Sequence, residues 1–161
     1  MIVVANSTPL IGLASIGRFE LLQQLFEEIY IAQAVYNEVV VAGREEGGAK
    51  REVSSAVWIK TQNVQDRLAV EVLLDDMDLG EAETIVLARE MQAEWVLMDE
   101  KKGRHKLVQM GMQKIGTIGI LLKAKQVGLL PAIRPEIEKL RQQGFSISQS
   151  VIDAVLQQAN E

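Results

Sequence analysis

The sequence contains no cysteine, only one histidine and no long hydrophobic run. The absence of cysteine excludes a disulfide framework, a thiol nucleophile and a thiolate zinc site. The single histidine, His105, has no partner at metal-ligand spacing, and we interpret it as a surface or rim residue. No apolar run approaches the roughly 18 residues of a membrane span, and the apolar start of the chain carries no basic segment typical of a signal peptide. We therefore expect a cytoplasmic protein without a membrane partner.

Two glycine-rich nucleotide-binding motifs are also absent. Neither GxxxxGK[ST] nor GxGxxG occurs in the chain, which argues against the nucleotide-binding folds built on them. The net charge of -5 argues against a protein that coats nucleic acid electrostatically. It still allows an enzyme that touches nucleic acid locally and holds cations with its acids. The 161 residues, 48% of them apolar, suit one domain over residues 1–161 with a sizeable core.

Short apolar runs alternate with helical patterns along the whole chain. This alternation predicts an α/β fold in which a short parallel sheet is covered by helices on both faces. The predicted strands are residues 2–5, 28–31, 58–64, 95–98 and 114–116. The predicted helices include residues 10–16, 18–26, 32–42, 67–74, 101–110, 117–127, 134–143 and 148–159.

Residues 78–99, DLGEAETIVLAREMQAEWVLMD, contain a helix start, an amphipathic helix and a buried strand in succession. Polar residues lie at the ends of this and other predicted elements. Asn6 follows the first strand, Glu38 lies on the helix after the second, Glu81 and Glu83 open the central helix, and Asp99 follows the central strand. In an open α/β sheet such residues can converge outside the carboxyl ends of the strands.

Oxygen atoms gathered at one edge of a sheet suit a hard cation. Magnesium and manganese prefer carboxylate and amide oxygens, and such an ion can activate water and stabilise a phosphoryl transition state. Each residue also has a purely structural interpretation. Glu81 fits a capping box with Asp78, Asp99 fits the cap of the next helix, Glu38 fits a solvated helix face, and Asn6 fits a turn. The constellation is more informative than any of its members.

Two runs of charge flank residues 78–99. The acidic run at residues 75–78 is typical of a solvated surface. The basic residues Lys101, Lys102 and Arg104 follow the predicted acidic cleft directly. They predict either a solvated helix face or a phosphate-docking surface beside the acids.

At this point five ordered motifs resemble a known family. The segments IVVANSTPLI, AVYNEVV, LGEAETIVLA, WVLMDEKKGR and KIGTIGILLKAKQVGLLP cover roughly residues 1 to 145. Together they resemble the PIN-domain (VapC-like) family, in particular the PIN-like subgroup with a GEAE helix start and a GTxG segment. The resemblance implies a three-layer α/β/α fold and hydrolysis of RNA with Mg²⁺ or Mn²⁺. It also implies a toxin that is paired with a small antitoxin protein.

The resemblance also implies roles for individual residues. Glu38, Glu81 with Glu83, and Asp99 match the family's metal-binding acids, and Thr117 in the GTIG turn would line the cleft. Asn6 departs from the pattern, because the family usually places Asp after the first strand. Asn6 keeps an oxygen ligand but loses a charge, which weakens cation binding.

Three functions therefore remain in consideration. The first is a metal-dependent endoribonuclease of the toxin type, with Asn6, Glu38, Glu81 and Asp99 as its catalytic set. The second is a catalytically impaired PIN-fold module that binds RNA or protein, because Asn6 replaces the usual Asp. A phosphoacceptor or phosphatase domain is disfavoured, since such a domain would require paired acids where this chain has Asn6. The apolar C-terminal helices favour a homodimer.

Overall fold

A five-stranded, fully parallel sheet forms the centre of the protein in a computed structural model that describes residues 1–161. The strand order is β3-β2-β1-β4-β5. Val3, Val4 and Ala5 of β1 are in register with Trp95, Val96 and Leu97 of β4. The strands are β1 (Val3–Ala5), β2 (Ile29–Ala32), β3 (Ile59–Gln62), β4 (Trp95–Leu97) and β5 (Lys114–Ile115). All five predicted strands are therefore confirmed, with ends that differ by at most two residues.

Helices cover both faces of the sheet, which confirms the predicted three-layer α/β/α fold. Val3 and Ala5 contribute to a core of 27 buried residues on one face, and Val4 contributes to a core of 12 on the other. This alternation explains why the central strands have no polar side: both faces of each strand are buried. The helices are α1 (Ser7–Ser15), α2 (Glu20–Phe26), α3 (Gln33–Tyr36), α4 (Lys50–Ser55), α5 (Arg67–Leu73), α6 (Leu79–Met91), α7 (Lys101–Gln109), α8 (Thr117–Gln126), α9 (Arg134–Gln142) and α10 (Gln149–Gln158).

The helix predicted over residues 32–42 differs from a regular α-helix. After α3 the chain widens into a π-helical turn over Asn37–Val41. The turn ends where the Ala42 N–H donates to the Asn37 carbonyl at 2.8 Å, five residues back. A π-helical turn changes the direction in which its side chains project, and such turns are frequent at functional sites. Glu38 lies within this one.

The stretch at residues 78–99 folds as predicted. Asp78 caps α6, and the reciprocal capping box with Glu81 is formed. At the other end of α6, Gln92 adopts a left-handed conformation with φ 54°. This conformation ends the helix and turns the chain into β4. None of the helices is long and apolar enough to span a membrane.

Gly103 allows α7 to lie directly against the end of β4. A Cβ at this position would lie 2.9 Å from the sulfur of Met98, which is fully buried. Alanine normally stabilises a helix by about 0.5–1 kcal/mol relative to glycine. Here the added methyl group would overlap the fully buried Met98 side chain, which must shift to accept it, and we expect the cost of that shift to exceed the gain.

We therefore expect Gly103→Ala to lower the free energy of unfolding by about 1–3 kcal/mol. Urea denaturation followed by circular dichroism measures the change. Lys102→Ala, at the exposed neighbouring position, serves as a control and should change stability by less than about 0.5 kcal/mol. A Gly103→Ala variant more stable than the parent would contradict this packing.

Candidate functional site

The polar residues converge between β1 and β4, where the direction in which successive strands are added to the sheet reverses. After β1 the chain continues to β2 on one side, and after β4 it continues to β5 on the other. The neighbouring strands β1 and β4 thus form a topological switch point, the position at which open α/β sheets bind ligands. Asn6 directly follows β1, while Asp99 and Glu100 lie just beyond β4.

Asn6 is at the centre of this crevice and is only 2% exposed. Its side-chain Nδ2 donates to Oε2 of Glu100 at 2.9 Å and also faces the sulfur of Met98 at 3.5 Å. If the Asn6 amide were flipped, its oxygen would face the Glu100 carboxylate without a proton between them. The hydrogen bond therefore fixes which way the Asn6 amide points. Asn6 Oδ1 is left buried without any hydrogen-bond partner. Such an atom is costly to bury unless a ligand satisfies it.

Gly80, in the first turn of α6, leaves open a position close to this oxygen. A Cβ placed there would lie 3.1 Å from Oε2 of Glu38, and 3.6 Å from both Asn6 Oδ1 and Asp78 Oδ1. Three oxygens from three separate elements therefore surround one position. Any side chain other than that of glycine would fill the space between them.

Glu81 serves both the helix terminus and the acidic cluster. Its N–H donates to Asp78 Oδ1 at 2.8 Å, and its Oε2 accepts a long hydrogen bond of 3.4 Å from the Asp78 N–H. The structural interpretation of Glu81 as a capping residue is thus realised. Burial, followed by the charges of Asp78 and Glu100, nevertheless raises the pKa of Glu81.

Glu100 belongs to the site, although the sequence pattern does not single it out. Its carboxylate accepts hydrogen bonds from Asn6 Nδ2 and from the Thr8 hydroxyl. Its negative charge contributes to raised pKa values at Glu38, Glu81 and Asp99. Glu100 therefore interacts electrostatically with Glu38 and Glu81 in one half of the cleft and with Asp99 in the other half.

Glu38, Glu81 and Asp99 share one electrostatic feature. Loss of solvation is the main cause of a raised pKa at each of them, and neighbouring negative charges add to it. At Glu38 the neighbouring charges are those of Asp78 and Glu100, and a hydrogen bond with the Ser7 hydroxyl partly offsets the rise in pKa. The carboxylates and the unpartnered amide oxygen are of the chemical type that a hard divalent cation prefers. In the arrangement seen here, no three His, Asp or Glu side chains are grouped closely enough to hold a metal ion.

Asp99 lies in the other half of the cleft and is held firmly. Its two oxygens accept hydrogen bonds from the Thr117 N–H at 2.9 Å and from the Thr117 hydroxyl at 2.7 Å. Burial is the main cause of its raised pKa, and the Thr117 hydrogen bonds and the Arg104 charge oppose it. The Arg104 guanidinium is fixed nearby by a 3.0 Å hydrogen bond to the Met98 carbonyl.

The structure corrects two of the predicted site residues. Glu83, predicted as a metal ligand, is buried; its oxygens accept from the Ala34 N–H at 3.0 Å and from Arg67 Nη1 at 2.8 Å. It points away from the cleft because it lies two residues further along α6 than Glu81. Thr117, predicted to contact substrate, is completely buried. It positions Asp99 instead.

The predicted basic residues separate onto two surfaces. Lys101 and Lys102 are exposed and border an open depression of about 470 Å³, whose acids include Glu81 and Glu100. Arg104 does not border this depression and lies instead at the end of a different groove. The acidic run at residues 75–78 also borders the depression, and its aspartates are exposed as predicted.

A comparison with protein-family models matches residues 2–161 to a PIN-domain family, DUF3368. The match covers nearly the whole chain, so the chain belongs to the PIN-domain family and has a nuclease-type fold. A comparison with curated proteins finds no match. The family assignment agrees with the parallel sheet and with the acids at its switch point.

The raised pKa values predict how stability depends on pH in protein treated with a chelator. The folded chain binds protons to these carboxyl groups more tightly than the unfolded chain does. Their contribution is therefore full below the ordinary carboxyl pKa and is lost as the pH rises through the raised values. We expect the free energy of unfolding to receive a larger contribution from them at about pH 5 than at about pH 7.5.

Glu38→Gln removes one of the repelled charges. It should raise the free energy of unfolding at about pH 7.5 and reduce the loss of stability between about pH 5 and that value. Glu20→Gln, on the exposed start of α2, serves as the matched control and should leave the pH dependence unchanged. Urea titrations at both pH values test this, and an unaltered pH dependence in Glu38→Gln would refute the electrostatic account.

Proposed function

We propose that this protein is a ribonuclease that hydrolyses RNA phosphodiesters with Mg²⁺ or Mn²⁺. The observation that carries the proposal is the unpartnered, buried Asn6 Oδ1 beside Glu38 at the switch point of the sheet. Oxygen ligands of this kind are the ones that hard cations prefer. The raised pKa values of the surrounding acids support the same conclusion.

The cleft residues divide into two groups in this proposal. Asn6, Glu38, Glu81 and Glu100 would hold the cation. A cation bound there would supply Lewis-acid activation of water and stabilisation of the phosphoryl transition state. Asp99, fixed by Thr117, contributes a further carboxylate to the catalytic set. Arg104 orients the RNA by donating to a phosphate oxygen, since its planar guanidinium matches phosphate geometry.

The biological setting is proposed from the family resemblance. The protein would act as the toxin of a toxin–antitoxin pair in the cytoplasm, with a small antitoxin protein that covers the cleft. We also propose a homodimer formed through the C-terminal helices. Lys101 and Lys102, exposed beside Glu100, would attract the RNA backbone.

One specific observation favours a second function. Asn6 supplies a neutral oxygen where a carboxylate would bind a cation more tightly, and its Nδ2 already neutralises part of the Glu100 charge. A cation would bind more weakly to such a cleft. The alternative is therefore a PIN-fold protein that binds RNA or a protein partner without cutting.

We expect the protein to cleave RNA in manganese and Asp99→Ala to lower the rate at least about 100-fold, the scale typical of a lost electrostatic group. Asp153→Ala, which removes an exposed acid of α10, is the matched control and should retain the parent rate. Gel-resolved cleavage of a labelled RNA measures both. Equal rates in the parent and Asp99→Ala would remove the nuclease assignment.

Asn6→Asp separates the two functions. The substitution adds an anionic ligand but replaces the donor to Glu100 with a like charge. We therefore expect lower stability without metal, tighter manganese binding by calorimetry, and faster cleavage. A large gain in rate identifies the parent as an impaired nuclease. No cleavage by the parent or by Asn6→Asp would favour the binding function.

A further inference from the structure

A groove of about 570 Å³ begins beside Asp99 and Arg104 and extends between α8 and α10. Its size falls within the range of pockets that hold small ligands. Half of its lining residues are hydrophobic, and they include Phe145, Ile118 and Val151. The groove therefore has an apolar interior, with the Asp99 carboxylate and the Arg104 guanidinium at its mouth.

Phe145 reaches this groove because of the turn that precedes it. Gly144 adopts a left-handed conformation with φ 88° and reverses the chain at the end of α9. The ring of Phe145 then lies over Gly12 of α1, so closely that a Cβ on Gly12 would be 3.2 Å from it. The same Cβ would be 3.5 Å from the methyl group of Thr117, the residue that holds Asp99. The half-buried Phe145 ring therefore lies close to Thr117, the residue that holds Asp99 in place.

Two cations that form no ion pair, Arg104 and Lys114, line the same end of the groove. Arg104 forms no ion pair, and the only hydrogen bond of its guanidinium is from Nη1 to the Met98 carbonyl. Its remaining N–H donors are free to bind a phosphate in the bidentate manner typical of arginine. Lys114, at the start of β5, also lines the groove and forms no ion pair.

We propose that this groove binds one nucleotide of single-stranded RNA next to the cleavage site, with the base stacked on Phe145 and a phosphate on Arg104. The inference rests on the proposed ribonuclease function and extends it to a substrate-binding position. Aromatic rings accept the faces of unpaired bases. The two cations favour a phosphate-bearing ligand over an apolar peptide, because Asp99 is the only acid that lines the groove and an apolar peptide would add no negative charge.

Filling the groove provides the first test, with RNA affinity as the readout. Glu38→Gln, on the far side of the cleft, is the parent background, so that the RNA remains intact. Ala154→Trp places a large ring into the groove from the exposed face of α10. Gln157→Trp, on the other side of the same helix, is the matched control. Fluorescence anisotropy with labelled oligoribonucleotides of mixed sequence measures the dissociation constants.

We expect Ala154→Trp to weaken binding about tenfold or more, the scale of a lost base-stacking contact, and Gln157→Trp to leave binding unchanged. Phe145→Leu should weaken binding similarly, while Phe145→Tyr should restore it because the ring is retained. In the cleaving protein, Phe145→Leu should raise KM more than it lowers kcat. Thermal unfolding of each variant separates these effects from loss of the fold.

The outcomes distinguish this inference from the proposed function. If the groove variants bind RNA like their parent, or if both tryptophan variants weaken binding equally, the nucleotide position is wrong and a protein occupant becomes the better account of the groove. If the Glu38→Gln parent does not bind the RNA, the inference is also overturned. Groove-dependent binding by a wild type that never cleaves would uphold the nucleotide position and reject the nuclease.

Discussion

The hydrogen bond from Asn6 to Glu100 determines the charge arrangement of the whole cleft. It joins the end of β1 to the end of β4 and uses the amide nitrogen against the carboxylate. The amide oxygen is left without a hydrogen-bond partner, and both it and Glu38 Oε2 lie within 4 Å of the position that a Cβ on Gly80 would occupy. One neutral side chain thus moderates the repulsion among the surrounding acids and also leaves an amide oxygen without a hydrogen-bond partner. An aspartate at this position could not do both, because it would repel Glu100 in the absence of a metal.

The sequence predicts the fold well because the strands are buried on both faces. The run from Val3 to Ala5 is continuously apolar since Val4 faces one core and its neighbours face the other. The capping residues Asp78 and Ser148 likewise mark the starts of α6 and α10 correctly. The π-helical turn at Asn37–Val41 was beyond prediction, because its residues have an ordinary helical pattern and only the tertiary structure selects the wider turn.

The site is less completely predictable, because side-chain direction depends on packing. Glu81 and Glu83 are both acids at a helix start, yet two positions along α6 rotate Glu83 away toward Ala34 and Arg67. Thr117 occupies the expected turn but donates inward to Asp99. Glu100 follows Asp99 just after β4 in the sequence, and its bonds to Asn6 and Thr8 make it part of the site. These contacts join residues more than ninety positions apart in the chain.

The central claim is that a hard cation binds at the unpartnered oxygen of Asn6. An anomalous difference map from a crystal soaked in manganese tests this claim most directly. The account predicts a peak within about 2.0–2.6 Å of Asn6 Oδ1, a range that covers Mg²⁺- and Ca²⁺-type oxygen coordination, with Glu38 also in coordination range. A map without a peak at this position, or with manganese bound only at the exposed aspartates of residues 75–78, would contradict it.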